Sequence, residues 1–460
     1  MSQSTRKILF ELRGIPKFTE ALPLAMQHVV AMIIGCITPA IVISVVANVS
    51  PEDTMLLIQA SLVTAAIATF IQLYPVAGRV GAGIPVVMGV SFAYVPVLIA
   101  IGGSMGLPAI LGAQIVGGFA AIIVGIFIRR LRPLFPPLVS GTVVFTIGLS
   151  LYPVAIRYMA GGAGMPGFGS ALNWGVALFT LAAVSFFSFF TKGFTKLASV
   201  LLGMAAGYIL AASLGMVSFE RIIESQWFQL PQVNHFKIEF HVTAVVSMVI
   251  MYIVNSIQAI GDISATTAGA MDREPSDDEL AGGIMGNGLS SMLSAFIGGL
   301  PTATFSQNVG IVTITKVINK FVIALAAVVV IWGAYIGIKI AIAHRNEEKI
   351  ILLAGLIPKF AALLTTIPLA VLGGATLTVF AAITMTGMKL LLSAKLTPRN
   401  SAVVGISVAL GVGISQVANA LGGPGMPSWA QEIFGSSSVI ISTLAAVALN
   451  VIMPRDKKEL

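Results

Sequence analysis

The chain has 460 residues, 57% of them hydrophobic and only 10% charged, whereas a soluble domain is nearer a quarter charged because its surface faces water. Lysine and arginine number 26 against 18 acidic residues, a formal charge of +8; with no soluble basic domain to present it, this excess argues against a nucleic-acid partner and for the loop bias that orients a membrane protein. The single cysteine, Cys36, lies in an apolar stretch, which excludes an intrachain disulfide framework.

Arg6, Lys7, Arg13 and Lys17 precede the first long hydrophobic segment, and no short apolar run with a small-residue cleavage site comes before it. That segment is expected to stay in place as its own insertion signal. A helix needs about 20 apolar residues to cross the hydrocarbon core. Stretches of that kind recur at 22–45, 55–73, 85–101, 108–128 and 134–155, then at 174–190, 197–217, 242–263, 280–300 and 302–318. Five more follow at 321–343, 350–366, 367–388, 402–421 and 433–452, which makes fifteen candidates.

Basic residues decide between counts. With a cytoplasmic N-terminus, Arg79, the Arg129-Arg130-Leu131-Arg132 run, Lys192 with Lys196, Arg273, and Lys316 with Lys320 all fall inside, as the positive-inside rule requires. Lys389, Lys395, Arg399 and the basic C-terminus (Arg455, Lys457, Lys458) belong inside as well. Both termini inside demands an even number of crossings, and fourteen fits. The expected fold is therefore an all-α polytopic protein of the inner or plasma membrane, with lipid as its solvent.

Two segments break the helix rules. The third holds Gly83, Pro85 and Gly89 ahead of Ser91-Phe92-Ala93-Tyr94-Val95-Pro96. The tenth opens on Gly298-Gly299-Leu300-Pro301 and continues through Thr302-Ala303-Thr304-Phe305-Ser306-Gln307-Asn308-Val309-Gly310. Proline removes a backbone donor and glycine weakens a helix, so these stretches leave backbone groups in need of partners at membrane depth. Such backbone is tolerated only where it is buried in protein or lines a cavity. Paired interruptions seven spans apart point to inverted repeats around a midplane site.

Polar residues gather on the same spans. Gln258 and Asp262 lie four residues apart, on one helical face, and in lipid they must face the protein interior. Gln307 and Asn308 sit at the tenth-span break, His28 in the first span and Asn287 in the ninth. Taken singly, each reads more readily as a helix–helix hydrogen bond. Two glutamine amides together suit the alternating carbonyl and N–H edge of a flat heterocycle, with Phe92 or Phe305 stacking on its face.

These residues resemble the nucleobase–ascorbate transporter family, in its bacterial purine branch. Gln307-Asn308-Val309-Gly310-Ile311-Val312-Thr313-Ile314-Thr315-Lys316 is similar to the family signature, and it falls on the interrupted tenth span. Gln27-His28, Gly261-Asp262, Ile367-Pro368 and Leu372-Gly373-Gly374-Ala375 also read like the family. The resemblance implies two inverted seven-span repeats, short antiparallel strands in spans three and ten, and a homodimer working by an elevator-like movement. It implies a core domain at 22–132 and 242–366 and a gate domain at 133–217 and 367–453. Tails at 1–21 and 454–460 would be cytoplasmic, with an extramembrane loop at 218–241. It also implies that Gln258, Gln307, Phe92, Phe305 and Ser306 bind the substrate, supported by Asp262, His28, Asn287 and Asn308. Glutamine at the first signature position is similar to purine carriers, so xanthine or urate is the expected cargo, with uracil or another pyrimidine as the alternative.

Three departures stand out. Gln258 occupies a position usually held by glutamate, and Asn287 one held by aspartate in some relatives, so Asp262, with His28, is the expected coupling group for a co-transported proton. Sodium coupling and an uncoupled carrier stay open. An insertion of roughly 20 residues near 331–351 carries Lys339 and His344-Arg345-Asn346-Glu347-Glu348-Lys349; a net extra crossing there would break the orientation rule, so a long eleventh helix or a protruding hairpin is expected. His344 and Glu347 read as a solvated turn. No metal, catalytic group or cofactor is expected: the four histidines are scattered and no H-E-x-x-H helix is present. A channel would show a ring-forming filter instead of a closed pocket.

Overall fold

The computed structural model describes residues 8–134, 136–218, 232–330, 366–435 and 437–454. The insertion expected near 331–351, with His344 and Glu347, lies outside the described residues, as do much of the eleventh span and of the 218–241 loop. The chain is mostly helical. Among the described residues eight helices are long and apolar enough to cross a membrane, or nine if the pair Ser428–Gly435 and Ser438–Ile452, bent by 90°, is one span.

In chain order the first half contains α1 (Phe18–Val46), α2 (Pro51–Leu73), the short strand β1 (Met88–Val90), α3 (Val95–Met105), α4 (Leu107–Ile126), α5 (Pro137–Met159), α6 (Ala171–Phe190) and α7 (Ser199–Ser213). The second half runs α8 (Val242–Met271), α9 (Asp277–Ile297), β2 (Thr302–Thr304), α10 (Ser306–Thr315), α11 (Lys320–Val330), α12 (Leu369–Ser393), α13 (Pro398–Gln416) and α14 (Ser438–Ile452). The helix starts follow local chemistry. Ser50 caps α2 by accepting from the Asp53 N–H ahead of Pro51. At α9, Ser276 and Glu279 form a reciprocal capping box, with Asp277 and Asp278 completing an acidic first turn that complements the positive end of the helix dipole.

Glycine lets the helices close on one another. A methyl at Gly118 would sit 2.7 Å from the Gly288 carbonyl oxygen, and one at Gly125 would sit 2.9 Å from that of Ala281, so α4 lies backbone against backbone on α9. Gly148 and Gly387 do the same where α5 crosses α12. Close approach of this kind drives association where lipid is as apolar as leucine. The contacts fall into two groups: α4 packs on α8 and α9 and α2 on α1 and α9, while α12 packs on α5 and α6, α6 on α7, and α14 on α13 and α5.

Both strands lie in the interior, every residue of each being buried. They pair antiparallel, Met88 opposite Thr304, Gly89 opposite Ala303 and Val90 opposite Thr302. The Phe305 N–H donates to the Val87 carbonyl at 3.0 Å and the Ser91 N–H to that of Pro301 at 3.1 Å. The two breaks therefore satisfy each other. Hydroxyls anchor the pair to its flanks: Thr69 of α2 accepts from the Met88 N–H at 3.0 Å, and Ser291 of α9 accepts from the Thr302 N–H at 3.0 Å.

Candidate functional site

The strand pair places α10 directly beyond β2, and its first turn faces the middle of α8. Asp262 is the meeting point. Its carboxylate accepts from the Thr304 hydroxyl at 2.5 Å and from the Ser306 hydroxyl at 2.7 Å, and the residue is buried. One α8 carboxylate thus holds both sides of the turn from β2 into α10. Each hydroxyl donates to an ionisable oxygen, the stronger kind of hydrogen bond.

One turn earlier on α8, Gln258 is half-buried. Its Nε2 donates to the Thr304 carbonyl at 3.4 Å, and its Oε1 accepts from Asn255 Nδ2 at 3.5 Å. Asn255 Oδ1 in turn accepts from Asn287 Nδ2 of α9 at 2.7 Å. Asn255 and Asn287 are both buried. A line of three amides therefore runs from α9 through α8 to the backbone of β2.

His28 and Asn308 join α1 to α10. Asn308 Nδ2 donates to His28 Nδ1 and to the His28 carbonyl, both at 3.1 Å, which puts the ring proton on Nε2. Asn308 Oδ1 is buried and has no hydrogen-bond partner among the described residues. Both residues are buried, so α1 and α10 are stitched together by side chains that the sequence placed far apart.

The aromatic residues are placed differently from one another. Phe305 is buried, and its ring fills the notch left by Gly35 of α1 and Gly89 of β1, where a methyl on Gly35 would come within 2.9 Å of it. Phe92 meets Phe380 of α12 edge-on, ring centroids 5.4 Å apart, so it links the strand region to a helix of the other packing group. Gln307, in the first turn of α10, is exposed.

Of the residues singled out in the sequence, Gln258, Asp262, Ser306, Asn287, Asn308 and His28 come together around β2 and the start of α10. Thr304 and Asn255 are equal members that sequence reasoning passed over. Asn255 carries a visible signal, since it lies three residues before Gln258 and so on its face; Thr304 shows its role only once β2 is folded. Two cavities of about 390 and 200 Å³ lie away from these groups, the first lined by Ile414, Trp429, Phe434 and Leu444, the second by Val97, Ser104, Ser247 and Glu432. Among the described residues no three His, Cys, Asp or Glu side chains are grouped to hold a metal ion.

Comparison with known proteins identifies the family. The family model Xan_ur_permease, described as a permease family, matches residues 19–342 and 349–420. The chain is 33% identical over 437 residues to the uric acid permease PucK of Bacillus subtilis, covering 94% of this chain and 95% of that one. It is 30% identical over 476 residues to the xanthine permease XanQ of Escherichia coli, covering 97% and 94%. Among solved structures, the transmembrane domain of the cyanobacterial bicarbonate transporter BicA superposes with a TM-score of 0.58 at 16% identity, covering 95% of this chain and 100% of that one; at that identity the likeness concerns the fold alone. The chain is a multi-pass membrane transporter, not an enzyme, and it belongs to the nucleobase–ascorbate transporter family.

Proposed function

We propose that this protein is a secondary active transporter that imports an oxidised purine, xanthine or urate, across the plasma membrane by proton symport. The observation that carries the proposal is the convergence of Asp262, Gln258, Thr304 and Ser306 where two interrupted segments pair inside the protein. An amide edge beside a buried carboxylate offers both recognition of a flat polar ring and a place to hold a proton. The relatives' named cargoes, uric acid and xanthine, support the choice of purine.

In this proposal the substrate docks near Gln258 and the first turn of α10, with Gln307, Phe92, Phe305 and Ser306 contributing contacts. His28, Asn287 and Asn308 hold that surface in shape. Asp262 takes the proton: when neutral it still bonds Thr304 and Ser306, so the turn from β2 into α10 can stay joined to α8 while the site's charge changes. Loss of that charge as substrate binds would lower the cost of moving the loaded site through lipid.

Fourteen crossings with both termini cytoplasmic, arranged as two inverted repeats, accord with the matched positions of β1 and β2 and with the near-equal lengths of α1 and α8, 29 and 30 residues. The group formed by α1–α4 with α8–α11 would be the core, and α5–α7 with α12–α14 the gate, of an elevator-type homodimer. Uptake of a radiolabelled purine and pyrimidine panel in proteoliposomes tests the proposal, with an imposed proton gradient, a protonophore, and sodium replacement as separate arms. Saturable, gradient-driven purine uptake indifferent to sodium is expected. Pyrimidine preference, sodium dependence or non-saturating flux would each overturn the corresponding part.

A further inference from the structure

The residues ahead of α1 carry an arrangement that transport of a purine leaves unused. Residues 8–14 are fastened to the junction of α10 and α11. The Ile318 N–H donates to the Leu9 carbonyl at 3.2 Å and the Lys320 N–H to that of Leu12 at 3.3 Å, while Asn319 Nδ2 reaches the carbonyls of Ile8, Glu11 and Gly14. Leu9 and Pro16 are buried. Phe10, Ile15 and Phe18 are not: they are 48%, 75% and 58% exposed. Large apolar side chains left uncovered on a pinned segment mark an interaction surface. Lipid is at the right height to cover it. α1 has 29 residues, about 43 Å of helix against a hydrocarbon core of about 30 Å, so its start at Phe18 falls among the headgroups.

Charge identifies the lipid. The backbone bond between Leu12 and Lys320 brings Arg13 beside Lys320, close enough for the two cations to repel, and the Lys320 Nζ stands 5.9 Å from the centre of the Tyr74 ring. Lys17, exposed, immediately precedes α1, and Arg6 and Lys7 come before the segment in sequence. Glu279, the carboxylate that offsets the repulsion on Lys320, is itself held by Arg273 at 2.8 and 2.5 Å. Glu11, exposed on the segment, is the acid such a site has to tolerate. A zwitterionic headgroup would bring a cation of its own toward Arg13 and Lys320, and a second copy of the chain would bring the same cations again. A net anion relieves them. We propose that residues 8–18 form an interfacial anchor for an anionic phospholipid, with the headgroup phosphate between Arg13 and Lys320 and the acyl chains against Phe10, Ile15 and Phe18. The anchor is bonded to the residues that follow α10, so its lipid steadies the far end of the helix that begins at Ser306.

The test places a polarity-sensitive fluorophore on the full-length I15C variant, whose other thiol, Cys36, is buried. The labelled protein is studied in nanodiscs of phosphatidylcholine with an increasing share of phosphatidylglycerol. Phosphatidylglycerol is expected to shift the emission to the blue as the label enters an apolar layer. In R13Q the share that gives half the shift is expected to rise about fivefold, the scale of one basic side chain at an anionic surface, and in R13Q/K320Q about thirtyfold. R13Q changes an exposed side chain, so it reads the site even if the double variant fails to fold. Equal emission in both lipids would overturn the proposal, as would a response to phosphatidylglycerol that R13Q leaves unchanged. A shift produced by inorganic phosphate in phosphatidylcholine discs would make this a site for the free anion, and one that grows with the number of proteins per disc would assign the surface to a second copy; each overturns the lipid anchor. None of these outcomes depends on which solute the protein carries.

Discussion

Asp262 and Thr304 are joined by a 2.5 Å hydroxyl–carboxylate hydrogen bond that ties the middle of α8 to the last residue of β2. The same carboxylate reaches Ser306, so a single side chain spans the junction where extended backbone becomes helix again. A group that is at once a structural clasp and the principal buried carboxylate at the site allows its two duties to be separated by substitution.

Asp262→Asn keeps an acceptor oxygen for one of the two hydroxyls, leaves the other to accept from the new amide, and cannot take up a proton. The variant is expected to fold with a loss of about 1 kcal/mol, to bind purine, and to lose gradient-driven accumulation while retaining exchange. Counterflow against net uptake in proteoliposomes checks this. Full pH-dependent accumulation by the variant would remove Asp262 as the coupling group.

Gln307 is exposed in this conformation. Gln307→Ala should therefore leave thermal stability within about 0.5 kcal/mol of the unaltered protein. If the side chain grips the substrate, affinity should fall by about 1–3 kcal/mol through an unsatisfied partner on the ring. Thermal unfolding in detergent and ligand titration on the same sample separate the two readouts.

Gly89 faces the packed ring of Phe305 and the thiol of Cys36, whose sulfur would stand 2.7 Å from an added methyl. Gly89→Ala must push the ring or the strand away, and overpacking of this kind costs about 1–3 kcal/mol. A lowered unfolding temperature is expected, together with weakened uptake because β1 can no longer pair in register with β2. An unchanged unfolding temperature would mean that the notch is looser than the distances indicate.

Asn319 is buried, and its Nδ2 lies within hydrogen-bond distance of the carbonyls of Ile8, Glu11 and Gly14, at 3.0, 3.3 and 3.1 Å. The N-terminal segment is fastened there to the link between α10 and α11, with the Ile318 N–H donating to the Leu9 carbonyl at 3.2 Å. Asn319→Ala is expected to cost about 1–3 kcal/mol and to expose the segment to proteolysis. Limited proteolysis with N-terminal sequencing reads this directly; cleavage at the same rate as in the unaltered protein would show that other contacts hold the segment.

The membrane class followed from charge count, because 10% charged residues cannot cover a chain of this size in water. The long helices also followed, since crossing lipid requires long apolar runs, and eight described helices carry such runs. The two interruptions were legible as well: Gly and Pro near Pro85 and Pro301 make unbroken helix costly wherever the fold puts them. Sequence even brought Gln258 and Asp262 onto one face, because four residues is nearly one helical turn.

What it left open was who partners whom. The pairing of Met88 with Thr304 joins residues more than two hundred positions apart, and no local propensity encodes the register of two three-residue strands. The Asn308–His28 bond and the Asn287–Asn255–Gln258 line likewise cross between helices. Phe305 shows the limit most plainly: its aromatic character suits a stacking partner for a flat ring, yet its actual neighbours are the gaps at Gly35 and Gly89. A side chain's chemistry is a property of the sequence, but whether it faces a ligand, a glycine or another amide is set by long-range packing, which the order of residues determines only through the whole fold.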